Sequence, residues 1–187
     1  MDSTLNRWWY AAAVDRDLMW RKKPQIYGTQ FIGDKSGKLR RYDIDTTQVT
    51  DAERAYYRVE SLKEQKVKER LMNLQPIQKF YVESGSFEKT VALIRSEYSK
   101  GDSAVYNVNE AAVNTFGYSL LRENKTDQAL EAFKLNTLLY PDAWNTYDSY
   151  GETLLKVNRK KEALENYRKS LELNPGNENA RKALQNP

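Results

Sequence analysis

Two polar strings in the first third of the chain carry the residue types that chemistry requires. The first is Asp15-Arg16, followed by Gln25, Tyr27, Thr29 and Gln30. A carboxylate, a guanidinium, two amides and two hydroxyls converging on one pocket could bind and polarise a small substrate. The same groups could instead form a buried hydrogen-bond network that fixes a helix to a hairpin, which is the simpler reading. The second string is Asp43-x-Asp45. Alternate spacing puts its carboxylates on one face of a strand, where a metal ion would accept them. Two carboxylates alone are a weak metal signature, and a polar turn or edge explains them as well. Nearby, Arg21, Lys22, Lys23, Lys35, Lys38, Arg40 and Arg41 lie among Tyr27, Phe31 and Tyr42. Cations interleaved with aromatics can track a phosphate backbone and stack bases. Acids are interspersed here and no recognised nucleic-acid motif is present, so a solvated face is expected and nucleic acid is not.

What the chain lacks narrows the chemistry further. It has no cysteine and no histidine. Disulfides and thiolate chemistry are excluded, as are the commonest neutral-pH base and the commonest zinc ligand. The expectation is therefore no catalytic residue, no cofactor, no metal and no enzymatic activity. The formal net charge is +4. Residues 1–83 hold 16 basic and 12 acidic side chains and residues 84–187 hold 14 of each, so the basic excess belongs to the first part. With 40% hydrophobic and 12% aromatic residues, the chain can bury a core. No apolar run approaches the roughly 18 residues of a membrane span, and no leader pattern follows Met1. A cytoplasmic protein is expected, or an exported one if Met1 is not the native start.

The polar strings need elements to hold them. Residues 3–20 predict one helix, with Leu5, Trp8, Trp9, Ala12, Met19 and Trp20 at spacings of three and four. Tyr10, Val14 and Leu18 cover part of its other side, which implies a helix buried nearly all round. Asp15, Arg16 and Asp17 interrupt it, so a charge in or near the core needs a partner. Pro24 stops it. Gln25–Ile32 favours extended structure, Gly33-Asp34-Lys35-Ser36-Gly37 a turn, and Lys38–Ile44 a return strand: a β-hairpin. Thr50-Asp51-Ala52-Glu53 is a capping box. It opens a helix with Ala55, Tyr56, Val59 and Leu62 on one side and a charged, solvated extension from Lys63 to Arg70, where Glu64 and Lys68 pair at i,i+4.

Asp15-Arg16-x-Leu18, then Lys23-Pro24-Gln25-x-Tyr27-Gly28-Thr29-Gln30, resembles a bacterial domain family of unknown function with the signature D-R-x-L…K-P-Q-x-Y-G-T-Q. Val49-Thr50-Asp51, Arg54, Val59 and Leu62 fit its closing segment. That family usually carries a long helical stretch with a histidine before this point, which this sequence lacks. The resemblance spans about residues 1–70 and implies that any activity of the family has lost half its site here.

The second half repeats itself. Gly117 and Gly151, Leu120 and Leu154, Ala129 and Ala163, Phe133 and Tyr167, and Pro141 and Pro175 all recur at an offset of 34. Glycine within a helix costs roughly 1 kcal/mol against alanine, a cost a close helix–helix approach offsets. Ala129 and Ala163 are the small partners, Phe133 and Tyr167 fill the space between neighbouring hairpins, and the prolines end each second helix. Asn124 and Asn158 stand where a left-handed residue closes the first helix. Period, glycine, alanine and proline together resemble the tetratricopeptide repeat. The run from Phe133 to Glu152 is similar to the tetratricopeptide tail appended to many bacterial proteins.

The expected fold is mainly α: a tetratricopeptide α-solenoid of two full repeats plus a capping helix, with a small α+β N-terminal segment containing the β-hairpin. The domains are residues 1–75 and 84–187, with repeats at 110–143 and 144–177 and the cap at 178–185. A packing helix begins after Gly85-Ser86 and carries Phe87, Val91, Leu93, Ile94 and Tyr98. Two repeats do not bury a continuous core alone, so this helix, the N-terminal segment or a second copy must help. The tetratricopeptide register implies a groove formed by Asn114, Tyr118, Leu121, Arg122, Asn145, Asp148, Glu152, Leu155 and Lys156. Asp148 and Glu152 stand where relatives that clamp a terminal carboxylate need cations, so an acidic C-terminal peptide fits poorly. The resemblance implies a scaffold for an unidentified protein or peptide, with a homodimer as a further candidate. The alternative is an N-terminal enzyme or ligand site of unknown reaction, docked by the repeats.

Overall fold

The computed structural model describes residues 3–35 and 37–185, with side chains from Arg7 onward; Leu5 of the apolar pattern and Ser36 of the turn lie outside the described side chains. Contacts divide the chain into two compact units, Met1–Leu74 and Gln75–Pro187.

The first unit opens with helix α1 (Ser3–Trp20), closed by Lys22 in the left-handed region with Lys23 N–H reaching back to the Leu18 carbonyl at 2.9 Å. Only one face of α1 is buried, carrying Ala11, Ala12 and Asp15, whereas Trp9, Tyr10 and Trp20 are exposed. The expectation of a helix covered nearly all round is thus corrected. Its polar residues Arg16 and Asp17 share the outer face with the aromatics. Strands β1 (Phe31–Gly33) and β2 (Leu39–Arg41) pair antiparallel, Phe31 against Arg41 and Gly33 against Leu39. Helix α2 (Asp51–Tyr56) starts at the Thr50–Glu53 capping box and ends with Arg58 left-handed. Helix α3 (Leu62–Met72) starts at a second capping box, Ser61–Glu64. The expected single helix from Thr50 to Arg70 is therefore two. Glu64 serves its cap, and Lys68 pairs with Glu60 at 2.6 Å instead of Glu64. Nor is α3 a free spacer: Gln65 is buried, and Asn73 bonds both the N–H and the carbonyl of Leu39. A small core of Ala11, Tyr27, Val49 and Val59 lies between these pieces.

The second unit is a row of helical hairpins. The first pairs helix α4 (Ile77–Ser84) with α5 (Phe87–Lys100), joined through Gly85. Short parallel strands β3 (Gln75–Pro76) and β4 (Tyr106–Asn107) tie its two ends together. Buried Glu97 reinforces that tie, accepting from Val105 N–H at 2.6 Å and Tyr106 N–H at 2.9 Å and pairing with Lys100. The next hairpins are α6 (Glu110–Arg122) with α7 (Thr126–Leu139), then α8 (Trp144–Lys156) with α9 (Lys160–Leu173), and α10 (Glu178–Gln185) caps the stack on α9. The Gly85–Tyr98 helix thus gains its neighbour from α4, inside the same chain.

The two repeats are built alike atom by atom. Asn124 and Asn158 are left-handed, at φ 58° and 61°. Lys125 and Arg159 N–H groups bond the Leu120 and Leu154 carbonyls, each at 2.9 Å, satisfying groups a helix end leaves open. A Cβ on Gly117 would lie 2.6 Å from the Phe133 ring, and one on Gly151 3.3 Å from the Ala163 carbonyl and 3.4 Å from Tyr167. The recurring aromatic therefore fills the space opened by the glycine of its own hairpin, a correction to its expected place between hairpins. Ile94, Val113, Phe116, Leu120, Phe133, Leu154 and Tyr167 make a continuous core.

Candidate functional site

All of the N-terminal string except Arg16 converges on one loop. Asp15 is fully buried. Its Oδ1 accepts from the N–H groups of Ile26 at 2.9 Å and Tyr27 at 3.0 Å. Its Oδ2 accepts from the N–H groups of Gly28 and Thr29 at 2.9 Å and from the Thr29 hydroxyl at 2.8 Å. Helix α1 can present one carboxylate to four successive amides because the loop curls round it with Gly28 at φ 94°. Gln25 closes the curl: its Oε1 accepts from Gln30 N–H at 2.9 Å and its Nε2 donates to the carbonyls of Gln30 and Tyr42. Gln30 Nε2 donates to the Thr29 hydroxyl oxygen at 3.0 Å and to the Ala12 carbonyl at 3.3 Å.

The loop carbonyls are met from the other side. Buried Arg54 donates to the carbonyls of Ile26 at 2.9 Å and Tyr27 at 3.1 Å and pairs with Asp51 at 3.1 Å. Buried Gln65 donates to the Tyr27 carbonyl at 2.8 Å and accepts from Arg41 at 2.8 Å. A Cβ on Gly28 would fall 1.9 Å from Gln65 Oε1, so this close approach requires glycine. Burial and the neighbouring Tyr57 push the Tyr27 hydroxyl up to about 12, so it stays neutral. Arg16 is exposed on the outer face of α1, away from this network. Arg54 supplies the guanidinium in its place. Its signal was the closing segment Asp51, Arg54, Val59 of the N-terminal resemblance. A carboxylate that spends both oxygens on five donors has nothing left for a substrate, which favours the network reading.

The other two strings resolve in the same direction. Asp45 turns back on its own loop, accepting from the Thr47 hydroxyl at 2.6 Å, Thr47 N–H at 3.0 Å and Gln48 at 2.7 Å. Those bonds hold its carboxyl below the usual range. Asp43 pairs with Arg40 at 3.1 Å. Among the described residues no group of three carboxylates is placed to hold a metal ion. In the basic cluster, Arg21 pairs with Asp17 and Arg41 with Gln65, while Tyr27 is buried and Phe31 and Tyr42 are half-buried, with Lys68 Nζ 6.0 Å from the Phe31 ring.

The groove positions lie on the first helices of the hairpins. Tyr118 on α6 donates to Glu152 Oε2 on α8 at 2.8 Å and lies 3.2 Å from Ser149 Oγ. Burial, with Glu152 and Asp148 near, raises its hydroxyl to about 12. Asn145 donates to Glu110 at 2.7 Å, so α6 and α8 are stitched at both ends. Asp148 is half-buried and accepts from Asn177 at 2.7 Å; burial raises its carboxyl, that bond lowers it, and the Glu152 charge raises it further, leaving it above its usual range. Glu152 also pairs with Lys156 at 2.9 Å. Leu121 is half-buried against the core, Arg122 and Leu155 are exposed, and the Asn114 amide oxygen is buried without a hydrogen-bond partner.

Beside this face is a cavity of about 420 Å³ between α4 and α6. Ile77, Ala112 and Phe116 form its apolar wall, Gln78, Asn107 and Asn109 its polar edge, and Arg122 lines it with the one charged side chain. Of these, only Arg122 belongs to the groove positions read from the sequence. The wall facing α6 is supplied by Ile77 and Gln78 of α4, whose pattern Ile77, Phe80, Tyr81, Ser84 is short enough to escape periodicity.

No family model matches the chain, and no curated protein matches it. Solved structures do. The first tetratricopeptide domain of Spaghetti (RPAP3) bound to the HSP90 peptide SRMEEVD is 22% identical, over 62% of this chain and 87% of that one, with a TM-score of 0.42. The second tetratricopeptide domain of human RPAP3 in complex with the HSP70 peptide SGPTIEEVD is 18% identical, over 62% and 95%, with a TM-score of 0.42. MamA is 15% identical, over 56% and 58%, with a TM-score of 0.39. The chain is a mainly α solenoid with a small β-hairpin segment, as its own helices establish. Among the described residues no helix is long and apolar enough to cross a membrane.

Proposed function

We propose that this chain is a protein-interaction scaffold, not an enzyme, and that a peptide segment of its partner lies along the first helices of the tetratricopeptide-like row. The observation that carries this reading is the cavity between α4 and α6, open beside a face that continues onto Leu155 of α8. A mostly apolar recess with a few convergent polar groups is the usual form of a recognition site. Ile77, Ala112 and Phe116 would receive one apolar side chain of the partner, and the amides of Gln78, Asn107 and Asn109 would meet its backbone. Arg122 favours a partial negative charge at that end, while Asp148 and Glu152 disfavour one at the other. The segment is therefore apolar and not uniformly acidic. The N-terminal unit serves as a rigid, self-satisfied element and not as half of an active site.

Photo-crosslinking tests this. With p-benzoylphenylalanine in place of Thr115, on the cavity wall, irradiation in native lysate should capture a discrete partner, and substitution of exposed Leu138 on α7 should not. Capture from Leu138 alone would overturn the assignment of the face.

A further inference from the structure

Three helices of the second unit begin at matched points 34 residues apart, and one of the three starts differs. Asn109, the N-cap of α6, accepts from Ala112 N–H at 2.8 Å. Asn177, just before α10, accepts from the N–H groups of Asn179 at 3.1 Å and Ala180 at 3.3 Å. Midway between them the N-cap of α8 is Ala143, whose side chain has no acceptor to offer.

The difference goes beyond the cap. Asn177 Nδ2 also donates to Asp148 Oδ1 on α8 at 2.7 Å and to Ser170 Oγ on α9 at 2.8 Å, so one side chain bonds α8, α9 and α10 together. At the same offset, Asp148, Ser170 and Asn177 correspond to Asn114 on α6, Asn136 on α7 and Ala143 before α8. Asn114 Oδ1 and Asn136 Oδ1 are both buried without a hydrogen-bond partner. Asn136 is itself fully buried, and its Nδ2 is spent on the Glu110 carbonyl at 3.1 Å. The register thus puts two unmet acceptors where the next joint has a shared donor, and a buried polar group left unmet costs stability.

We infer that the second unit has a built-in seam between α7 and α8, at which α8–α10 opens as one block from the helices before it. The block stays whole because Asn177 ties α10 to both α8 and α9, so opening does not run helix by helix from α10 inward. Among the bonds that do cross the seam, Tyr118 to Glu152 at 2.8 Å and Asn145 to Glu110 at 2.7 Å involve groove positions. On the groove reading above, a segment spanning α6 and α8 binds the closed form, and closure and binding reinforce each other. The seam itself does not depend on that reading.

Native-state hydrogen exchange of the full chain across low urea concentrations reads opening helix by helix. Amides of α8, α9 and α10 should converge on one opening, at least roughly tenfold more frequent than that of α6 and α7. Ala143→Asn brings a cap and a donor together, whereas Ala143→Asp caps a helix equally well and donates nothing. The asparagine variant should therefore slow exchange throughout α8–α10 at least roughly tenfold more than the aspartate variant does. Asn177→Ala, which leaves Ala143 untouched, should free α10 from the block and quicken its exchange at least roughly tenfold over that of α8. Exchange that quickens evenly from α6 to α10 in the wild type overturns the inference, as does a single opening shared by all five helices. So does equal slowing by Ala143→Asn and Ala143→Asp, or an Asn177→Ala chain in which α10 still opens with α8.

Discussion

Replacing Asp15 by asparagine changes one oxygen for an amide group and little else in size. In the folded unit the carboxylate accepts four backbone N–H groups and one hydroxyl, two donors on Oδ1 and three on Oδ2. Asparagine keeps one acceptor and turns the other into a donor facing donors. Whichever way the amide is oriented, two N–H groups lose their partner. Each buried donor left unsatisfied costs about 1–3 kcal/mol. Asp15→Asn should therefore destabilise the first unit by about 2–6 kcal/mol. A domain of this size holds only some 0.05–0.15 kcal/mol per residue, about 4–11 kcal/mol in all, so much of its stability goes. Thr29→Val, which removes only the hydroxyl bond, should cost about 0.5–1.5 kcal/mol. Amide hydrogen exchange at Tyr27, Gly28 and Thr29 reads the effect locally, and a urea titration reads it globally. If Asp15→Asn exchanged these amides and unfolded as wild type does, the network reading would fall and Asp15 would be free to serve a ligand.

Other perturbations follow from the same contacts. Gly117→Ala pushes a methyl group into the fully buried Phe133 ring and should cost about 1–3 kcal/mol, whereas Gly151→Ala meets the Ala163 carbonyl only at 3.3 Å, a tight contact relieved by a shift of a few tenths of an ångström, and should stay within about 1 kcal/mol of wild type in a thermal melt. Asn124→Ala and Asn158→Ala should each lose about 1 kcal/mol and Asn→Gly at either site almost none, because only the left-handed backbone is at issue. Burial opposes ionisation of Glu97, but Lys100 and the N–H groups of Tyr106 and Val105 outweigh it and hold the carboxyl below the usual carboxylate range. A lowered folded pKa means a contribution that is complete above pH ~5 and fades as pH falls through the folded value. Glu97→Gln should accordingly cost about 1.5–3 kcal/mol near pH 7, with the gap to wild type closing below pH ~4 in urea titrations.

The repeat was legible because its constraints are local and recur: Asn124 and Asn158 must be left-handed, and Gly117 and Gly151 must admit an aromatic ring. Helix α4 was not, since eight residues carry little more than two turns of pattern. In the first half, Thr50-Asp51-Ala52-Glu53 announces its helix, whereas the same signal at Ser61-Leu62-Lys63-Glu64 is masked by the charged run that follows it. Asp15, Gln25, Tyr27, Thr29 and Gln30 were identifiable as a set because buried polar groups must meet. Their other half, Arg54 and Gln65, lies 24 and more residues away, and only the closed loop shows why a guanidinium and an amide are buried there. The groove residues were readable by register, but the cavity beside them was not, because two of its walls come from α4 and the β4 segment.

Peptide display on the immobilised full chain, followed by hydrogen exchange with a selected peptide, shows whether the first helices receive a partner segment. Enriched sequences should carry an apolar anchor. Protection should centre on residues 77–78, 111–122 and 145–156, and Arg122→Glu together with Leu155→Asp should abolish it while leaving the melt unchanged. Protection confined to the second helices α7 and α9 or to residues 1–74, or binding indifferent to both substitutions, would contradict it.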